Sequence, residues 1–187
     1  MGQPKQLLAY RGRTLLQHSI DQAIAAGFAP IVVVVGASSE MVLRSVADPT
    51  VVIVQNELWE TGMGSSVRAG IHALLKNGEV LSAVALMVAD QPLVEAKHLA
   101  AMRQLLFAGD ASIVAAQYRD TLGVPALFKR ELFHGLSSLP PEAGARTLVR
   151  NSEANVIRYP LPEAAVDIDT PEDFERFISA VEFRRQT

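Results

Sequence analysis

Short apolar runs rich in β-branched residues alternate along this chain with longer stretches whose apolar positions recur every three or four residues. Residues 14–28 set Leu15, Leu16, Ile20, Ala23 and Ile24 on one helical face and reach a favoured stop at Gly27. The uninterrupted run at 31–35 has the character of a strand covered on both faces. A short helix near 39–46 leads to a second strand at 51–54. Residues 65–76 are amphipathic through Val67, Ile71, Leu74 and Leu75, with Gly78 beyond the end. A strand at 83–88, a helix over 96–107 and a strand at 111–116 continue the alternation. Past residue 120 the order is less regular, with strands at 124–128 and 156–159 and helices at 129–136 and 143–150. A closing helix covers 173–182, with Thr170 as its N-cap and Pro171 at its first position. The alternation predicts βαβ units: a three-layer α/β/α sandwich with a mainly parallel sheet, in one domain over 1–187.

Composition narrows the partners. The 187 residues carry a net charge of −3, which argues against nucleic acid or an anionic membrane surface and leaves room for a phosphate ligand met by a few local cations. There is no cysteine, so disulfides, thiol catalysis and thiolate metal sites are excluded. The longest apolar runs are far shorter than the ~20 residues of a membrane helix, and no signal core opens the chain. The reading is a cytoplasmic protein. The four histidines show neither metal spacing nor a triad, and Trp59 and Met63 read as packing and loop-anchoring residues.

Five segments hold the candidate chemistry. Pro4-Lys5 places a cation just ahead of a helix-bearing segment; in isolation it reads as a solvated lysine. Residues 56–66 form a polar, Gly-rich loop opening onto a helix. Gly62 and Gly64 permit close backbone approach, and Ser65 and Ser66 serve as N-caps or as donors and acceptors for a base edge. Arg68 is a candidate phosphate contact. Asp90 falls at the C-terminal end of a buried strand, where open α/β sheets bind ligands, and supplies the hard oxygen that Mg²⁺ requires; the alternative is a turn cap. Asp167 and Asp169 alternate along an extended segment, so either completes a Mg²⁺ site with Asp90, while Glu172 and Asp173 complement the last helix dipole. Gly123, Pro125 and Arg146 can form an acceptor pocket, with Arg146 meeting an anion; the alternative for Arg146 is a surface role.

Taken in order, these segments resemble the molybdenum cofactor cytidylyltransferase family, MobA-like proteins related to the molybdopterin guanylyltransferases. The resemblance spans nearly the whole chain. It rests on the run Met1 to Leu8, Trp59 with Gly62-Met63-Gly64-Ser65-Ser66, Ala89-Asp90-Gln91-Pro92, Gly123 with Pro125, Gly144-Ala145-Arg146, and Asp167 to Asp173. It implies a nucleotide-diphospho-sugar transferase (GT-A-like) fold. It also implies transfer of CMP from CTP to the phosphate of molybdopterin, with pyrophosphate released, and a molybdoenzyme that receives the cofactor. Lys5 then contacts the triphosphate as a catalytic residue alongside Asp90, Gly64, Ser65 and Ser66 line the nucleotide site, and Mg²⁺ lies on Asp90 with Asp167 or Asp169. Asp-Gln-Pro is similar to the cytidylyl branch, where the guanylyl branch has Asp-Met-Pro. In the family a central strand and a Gly-rich phosphate loop precede Met-Gly-x-Pro-Lys. The expectation is therefore that Met1 is an internal methionine and that the domain is N-terminally incomplete; the alternative is a truly shortened variant that closes its sheet differently. A second departure is Pro140-Pro141-Glu142-Ala143 ahead of Gly-Ala-Arg, where the family has a Gly-Asp pattern. A non-catalytic module that holds or delivers the cofactor is the alternative function. A nicotinamide-dependent reductase fares worst, since no Gly-x-Gly-x-x-Gly follows a strand.

Overall fold

The computed structural model describes residues 4–186 apart from 38, 47, 77, 79 and 152–154. Met1, Gly2 and Gln3 of the N-terminal motif lie outside the described residues.

The chain opens with a 3-10 turn at Lys5–Leu7 and a tight hairpin of β1 (Ala9–Tyr10) and β2 (Arg13–Thr14). Arg11 and Gly12 make its two-residue turn at φ 51° and 75°, the left-handed pair that a primed turn requires. Helix α1 (Leu15–Ala25) follows, capped where Thr14 Oγ1 accepts from Gln17 N. Next come β3 (Ile31–Val35), α2 (Ser39–Ser45), β4 (Val51–Gln55), α3 (Met63–Lys76), β5 (Ala83–Leu86) and α4 (Ala96–Ala108). The C-terminal part contains β6 (Ile113–Tyr118), β7 (Thr121–Lys129), α5 (Phe133–Ser137), α6 (Ala145–Asn151), β8 (Val156–Pro160) and α7 (Pro171–Gln186). Among the described residues no helix is long and apolar enough to cross a membrane.

Strand alternation builds the layers. On β6, Ile113 and Ala115 pack with Ala126 and Phe128 of β7 against Ile71, Phe133, Leu136 and Val149 of α3, α5 and α6. Val114, Ala116 and Leu127 face the other way, onto Leu99, Met102 and Leu106 of α4. A third cluster joins Leu16 and Ile20 of α1 to Val35, Val42 and Val51, with Leu7 and Ala89 at its margin. A fourth gathers Tyr10, Leu15, Ile168 and Phe177. This is the α/β/α layering read from the sequence.

Strand direction differs from the mainly parallel expectation in one place. β3 pairs with β4 in parallel, and β6 with β8 in parallel, but β7 runs antiparallel to both β5 and β6. The cause is local. Arg119 and Asp120, at φ 47° and 56°, turn β6 straight back into β7, leaving no length for a crossover. The strands form a β3-β4 pair and a β5-β7-β6-β8 sheet, and no strand bridges the two among the described residues. Helix α3 spans both: Gly70 lies against Val34, and Ile71 packs with Val84. Opposite Ala115 and Ala116 the register shifts, so that Val124 and Pro125 bulge from β7. A bulge suits proline, which has no N–H to give to a ladder.

Candidate active site

The turns that follow β4 and β5 bring the candidate residues to one end of the sheets. Asp90 lies in a turn four residues beyond β5 rather than on the strand, because regular pairing ends at Leu86. Lys5 sits in the N-terminal 3-10 turn, where Leu7 N bonds Pro4 O at 3.0 Å and Leu8 N bonds Lys5 O at 3.1 Å. Leu7 packs into the α1–β3–β4 cluster and Leu8 into the Tyr10–Phe177 cluster, which fixes the turn from both sides. The solvated-lysine reading therefore gives way to an anchored one.

Lys5 Nζ donates to Asp90 Oδ2 at 2.7 Å and to Asp169 Oδ1 at 2.6 Å. One ammonium thus holds two carboxylates separated by 79 residues of sequence, Asp90 to Asp169. Burial disfavours the charged lysine, but the hydrogen bonds to Asp169 and Asp90 outweigh it and raise Nζ above the ordinary lysine value of 10.5. The ammonium is charged throughout the neutral range. Asp167 turns elsewhere: its Oδ1 lies 3.4 Å from Arg119 Nη2, and Arg119 also donates to Ala165 O. Of the two alternatives, Asp169 is the one brought to Asp90, since Ile168 is fully buried between them and sends their side chains to different partners.

The Gly-rich loop is built differently from the sequence expectation. Helix α3 starts at Met63, so Ser65 and Ser66 lie within its first turn and not at its N-cap. Ser65 is buried; its hydroxyl lies 2.9 Å from Leu58 O and 2.8 Å from Gly62 O, and accepts from Asn56 Nδ2 at 2.8 Å. Asn56 Nδ2 also reaches Ser66 Oγ at 3.0 Å, while its Oδ1 accepts from Leu58 N at 3.0 Å. Asn56 organises this loop, a role the sequence reading did not assign. Its signal was an Asn directly after a strand and ahead of a Ser pair. The amide of Gly64 donates to Pro141 O at 2.8 Å, and a Cβ there would sit 2.0 Å from Pro140 O. The segment around Pro140–Ala143 therefore lies directly on the loop, which explains the glycine. Arg68 is spent on Leu139 O in the same packing.

The acceptor candidates do not join the Lys5 cluster. Gly123 and Pro125 are buried in β7, and Gly123 makes room for Tyr118, whose hydroxyl would be 2.4 Å from an added Cβ. Arg146 is exposed on α6, just past the segment that packs on Gly64. Beside Asp169, however, opens a cleft of ≈ 620 Å³ lined by Leu93, Arg119, Asp167, Arg176 and Phe177. Arg119 and Arg176 are its cations, and neither was singled out in the sequence. The four histidines, read as structural or surface residues, divide between the two: His18 Nε2 bonds Pro92 O at 3.1 Å and Glu95 N donates to His98 Nδ1 at 3.1 Å, while His72 and His134 are exposed. Trp59 packs its side chain directly over Gly36 while staying 44% exposed, and Met63, read as a loop anchor, is 60% exposed.

The α/β sandwich is the Rossmann-like nucleotide-diphospho-sugar fold, shared with solved nucleotidyltransferase structures. The chain belongs to the MobA-like NTP transferase domain family, which matches residues 1–156. It is 28% identical to a probable molybdenum cofactor guanylyltransferase of Opitutus terrae, over 94% of this chain and 87% of that protein. It is also 28% identical to a nicotine blue oxidoreductase of Paenarthrobacter nicotinovorans, over 94% of this chain and 88% of that protein. Among solved structures, Rv0371c of Mycobacterium tuberculosis H37Rv in complex with manganese matches with a TM-score of 0.72 at 29% identity, covering 92% of this chain and 90% of that one. Membership of a nucleotidyltransferase family supports transferase activity.

Proposed function

We propose that this chain transfers CMP from CTP to the phosphate of the molybdopterin form of molybdenum cofactor, releasing pyrophosphate, with Mg²⁺ as its cofactor. The observation that carries the reading is the clasp of Lys5 by Asp90 and Asp169. An ammonium within 2.7 Å of two hard carboxylate oxygens marks a place where the protein stabilises positive charge. Among the described residues no group of three or more His, Cys, Asp or Glu is arranged to hold a metal. Two carboxylates are nevertheless what Mg²⁺ takes when substrate phosphates complete its coordination. The donor set fits the ion, and Asp90 and Asp169 would hold it. When bound it would supply charge neutralisation for the triphosphate and the departing pyrophosphate.

This chain's own part is positioning and charge. A pterin phosphate oxygen attacks the α-phosphorus of CTP in line; the bond to the β-phosphate oxygen breaks, and pyrophosphate leaves with its electron pair. The attacking oxygen is already anionic, so no general base is needed, and because the acceptor itself brings the nucleophile, no side-chain nucleophile is needed either. Lys5, released from the carboxylates, neutralises the triphosphate. Ser66 lines the nucleotide side, Ser65 and the covered Gly64 shape the loop from beneath, and the arginines beside Asp169 receive the acceptor phosphate more directly than Arg146. The relative named as a molybdenum cofactor guanylyltransferase supports the acceptor; the Asp-Gln-Pro resemblance supports CTP over GTP.

A second reading, a non-catalytic module holding or delivering the cofactor to a molybdoenzyme, draws on one observation: the Gly64 amide is occupied by Pro141 O. Calorimetric titration of CTP and GTP in the presence of Mg²⁺ separates the two. The proposal expects saturable binding with CTP preferred. No binding of either nucleotide overturns it in favour of the second reading, and tighter GTP binding overturns the cytidylyl assignment.

A further inference from the structure

Gln91 follows Asp90 directly, yet the residue is only 6% exposed and its side chain is spent inside the protein. Its Nε2 donates to Ala164 O at 2.8 Å and lies 3.3 Å from the Tyr118 hydroxyl. An amide nitrogen has two protons, so both are committed and neither is left to read a base. Ala164 is 1% exposed on the 3-10 turn Pro162–Ala165, and a buried carbonyl deprived of its donor is costly. Four residues later, Ile168 N donates to Asp90 O at 3.0 Å. Two adjacent residues, Asp90 through its backbone and Gln91 through its side chain, thus clip the segment 164–168 onto the turn after β5. Asp169 comes immediately after the second clip. What the clips fix is the spacing between two carboxylates that both end on Lys5 Nζ. Tyr118, which covers Gly123, links the same amide to the bulged strand β7.

We propose that Gln91 is a positioning residue for the cation site, setting the distance between Asp90 and Asp169 by tying the turn after β5 to the turn after β8. The inference rests on the proposed role of those two aspartates, and the following experiment separates the failure of one from the failure of the other. Mn²⁺ binding is followed by electron paramagnetic resonance, without nucleotide or turnover, in the wild type, Gln91→Met, Tyr118→Phe and Asp90→Asn.

Gln91→Met keeps the volume and removes both donors. Partners that orient metal ligands are worth about 10–100-fold in affinity, and the Ile168–Asp90 clip survives, so a loss of about tenfold is expected. Nucleotide affinity without divalent cation stays unchanged, which a general loosening of the fold would not allow. Tyr118→Phe removes the longer contact alone and should cost about two- to threefold, covering the case in which Gln91→Met does not fold. If Asp90→Asn loses Mn²⁺ while neither of these variants does, the Gln91 proposal is overturned and the function stands. Parallel loss of Mn²⁺ and metal-free nucleotide binding in Gln91→Met also overturns it, by showing a structural role only. If Asp90→Asn binds Mn²⁺ as the wild type does, the cation site of the proposed function fails, and this inference with it.

Discussion

A lysine ammonium between two carboxylates neutralises one of them and leaves the group with a net negative charge. Lys5, Asp90 and Asp169 form such a group, at 33%, 23% and 62% side-chain exposure. A divalent cation held by Asp90 and Asp169, as proposed, would share their oxygens with Lys5, whose ammonium would then be available to phosphate. Lys5→Met should therefore bind Mn²⁺ more tightly than the wild type in the absence of nucleotide, and nucleotide more weakly. Partly exposed ion pairs contribute up to ~1 kcal/mol each, so the gain is at most about tenfold to thirtyfold. Unchanged Mn²⁺ affinity in Lys5→Met would show that lysine and cation use different oxygens. At this scale the sequence was legible where chemistry lies in local motifs: Lys5, Asp90 and Asp169 were all singled out. It could not separate Asp167 from Asp169, because that choice depends on Arg119 arriving from a distant hairpin. Asn56 was legible only as an Asn between a strand and a Ser pair, while Gln91 acts on Ala164, a partner 73 residues away that nothing adjacent to it marks.

Among the elements, two helices depend on neutral histidines. His18 on α1 holds the turn after β5 through Pro92 O. Burial pushes its pKa below the ordinary value of 6.5, against a weaker upward pull from the Pro92 bond; Arg11 adds to the lowering, and Asp21 and Glu95 oppose it. His98 accepts from Glu95 N at the start of α4, and burial lowers its pKa as well, with Glu163, Lys97 and Glu95 nearby. Both groups bind a proton more readily in the unfolded chain. Their contribution to stability is thus complete above the ordinary histidine value and is lost as pH falls through the lowered folded values. The melting midpoint should fall between pH 7.5 and pH 5.5, by about 2–4 °C for each kcal/mol of linkage in a chain of this size. A His18→Gln, His98→Gln double variant should show a shallower slope, and an identical slope would remove both histidines from the account. Helices and parallel strands were legible from their periodicity. The two hairpins were not, since Arg11-Gly12 and Arg119-Asp120 lack the Asn-Gly or Asp-Gly signature of a primed turn. Missing the second of these is what made β7 look like one more parallel strand.

The whole molecule arranges four apolar clusters so that the turns after β5 and β8 meet beside the N-terminal turn. Asp90 and Asp169 are carried there by these two turns, and Lys5 by the N-terminal turn wedged between two clusters. Alternating apolar runs made this architecture readable, because each buried strand and each amphipathic helix declares its own period. The contact between the Pro140–Ala143 segment and the Gly-rich loop was not readable, as both partners look like solvent-facing turns in sequence. The central claim is that Asp90 and Asp169 hold the cation that supports nucleotidyl transfer. Pyrophosphate release from CTP, with Mg²⁺ and molybdopterin present, tests it directly when wild type and Asp90→Asn are compared. The account predicts release by the wild type and a loss of at least about 10²-fold in the variant, as for removal of a group that stabilises transition-state charge, with the melting midpoint retained. Equal rates in the two proteins, or no release by a wild type saturated with CTP, would contradict it.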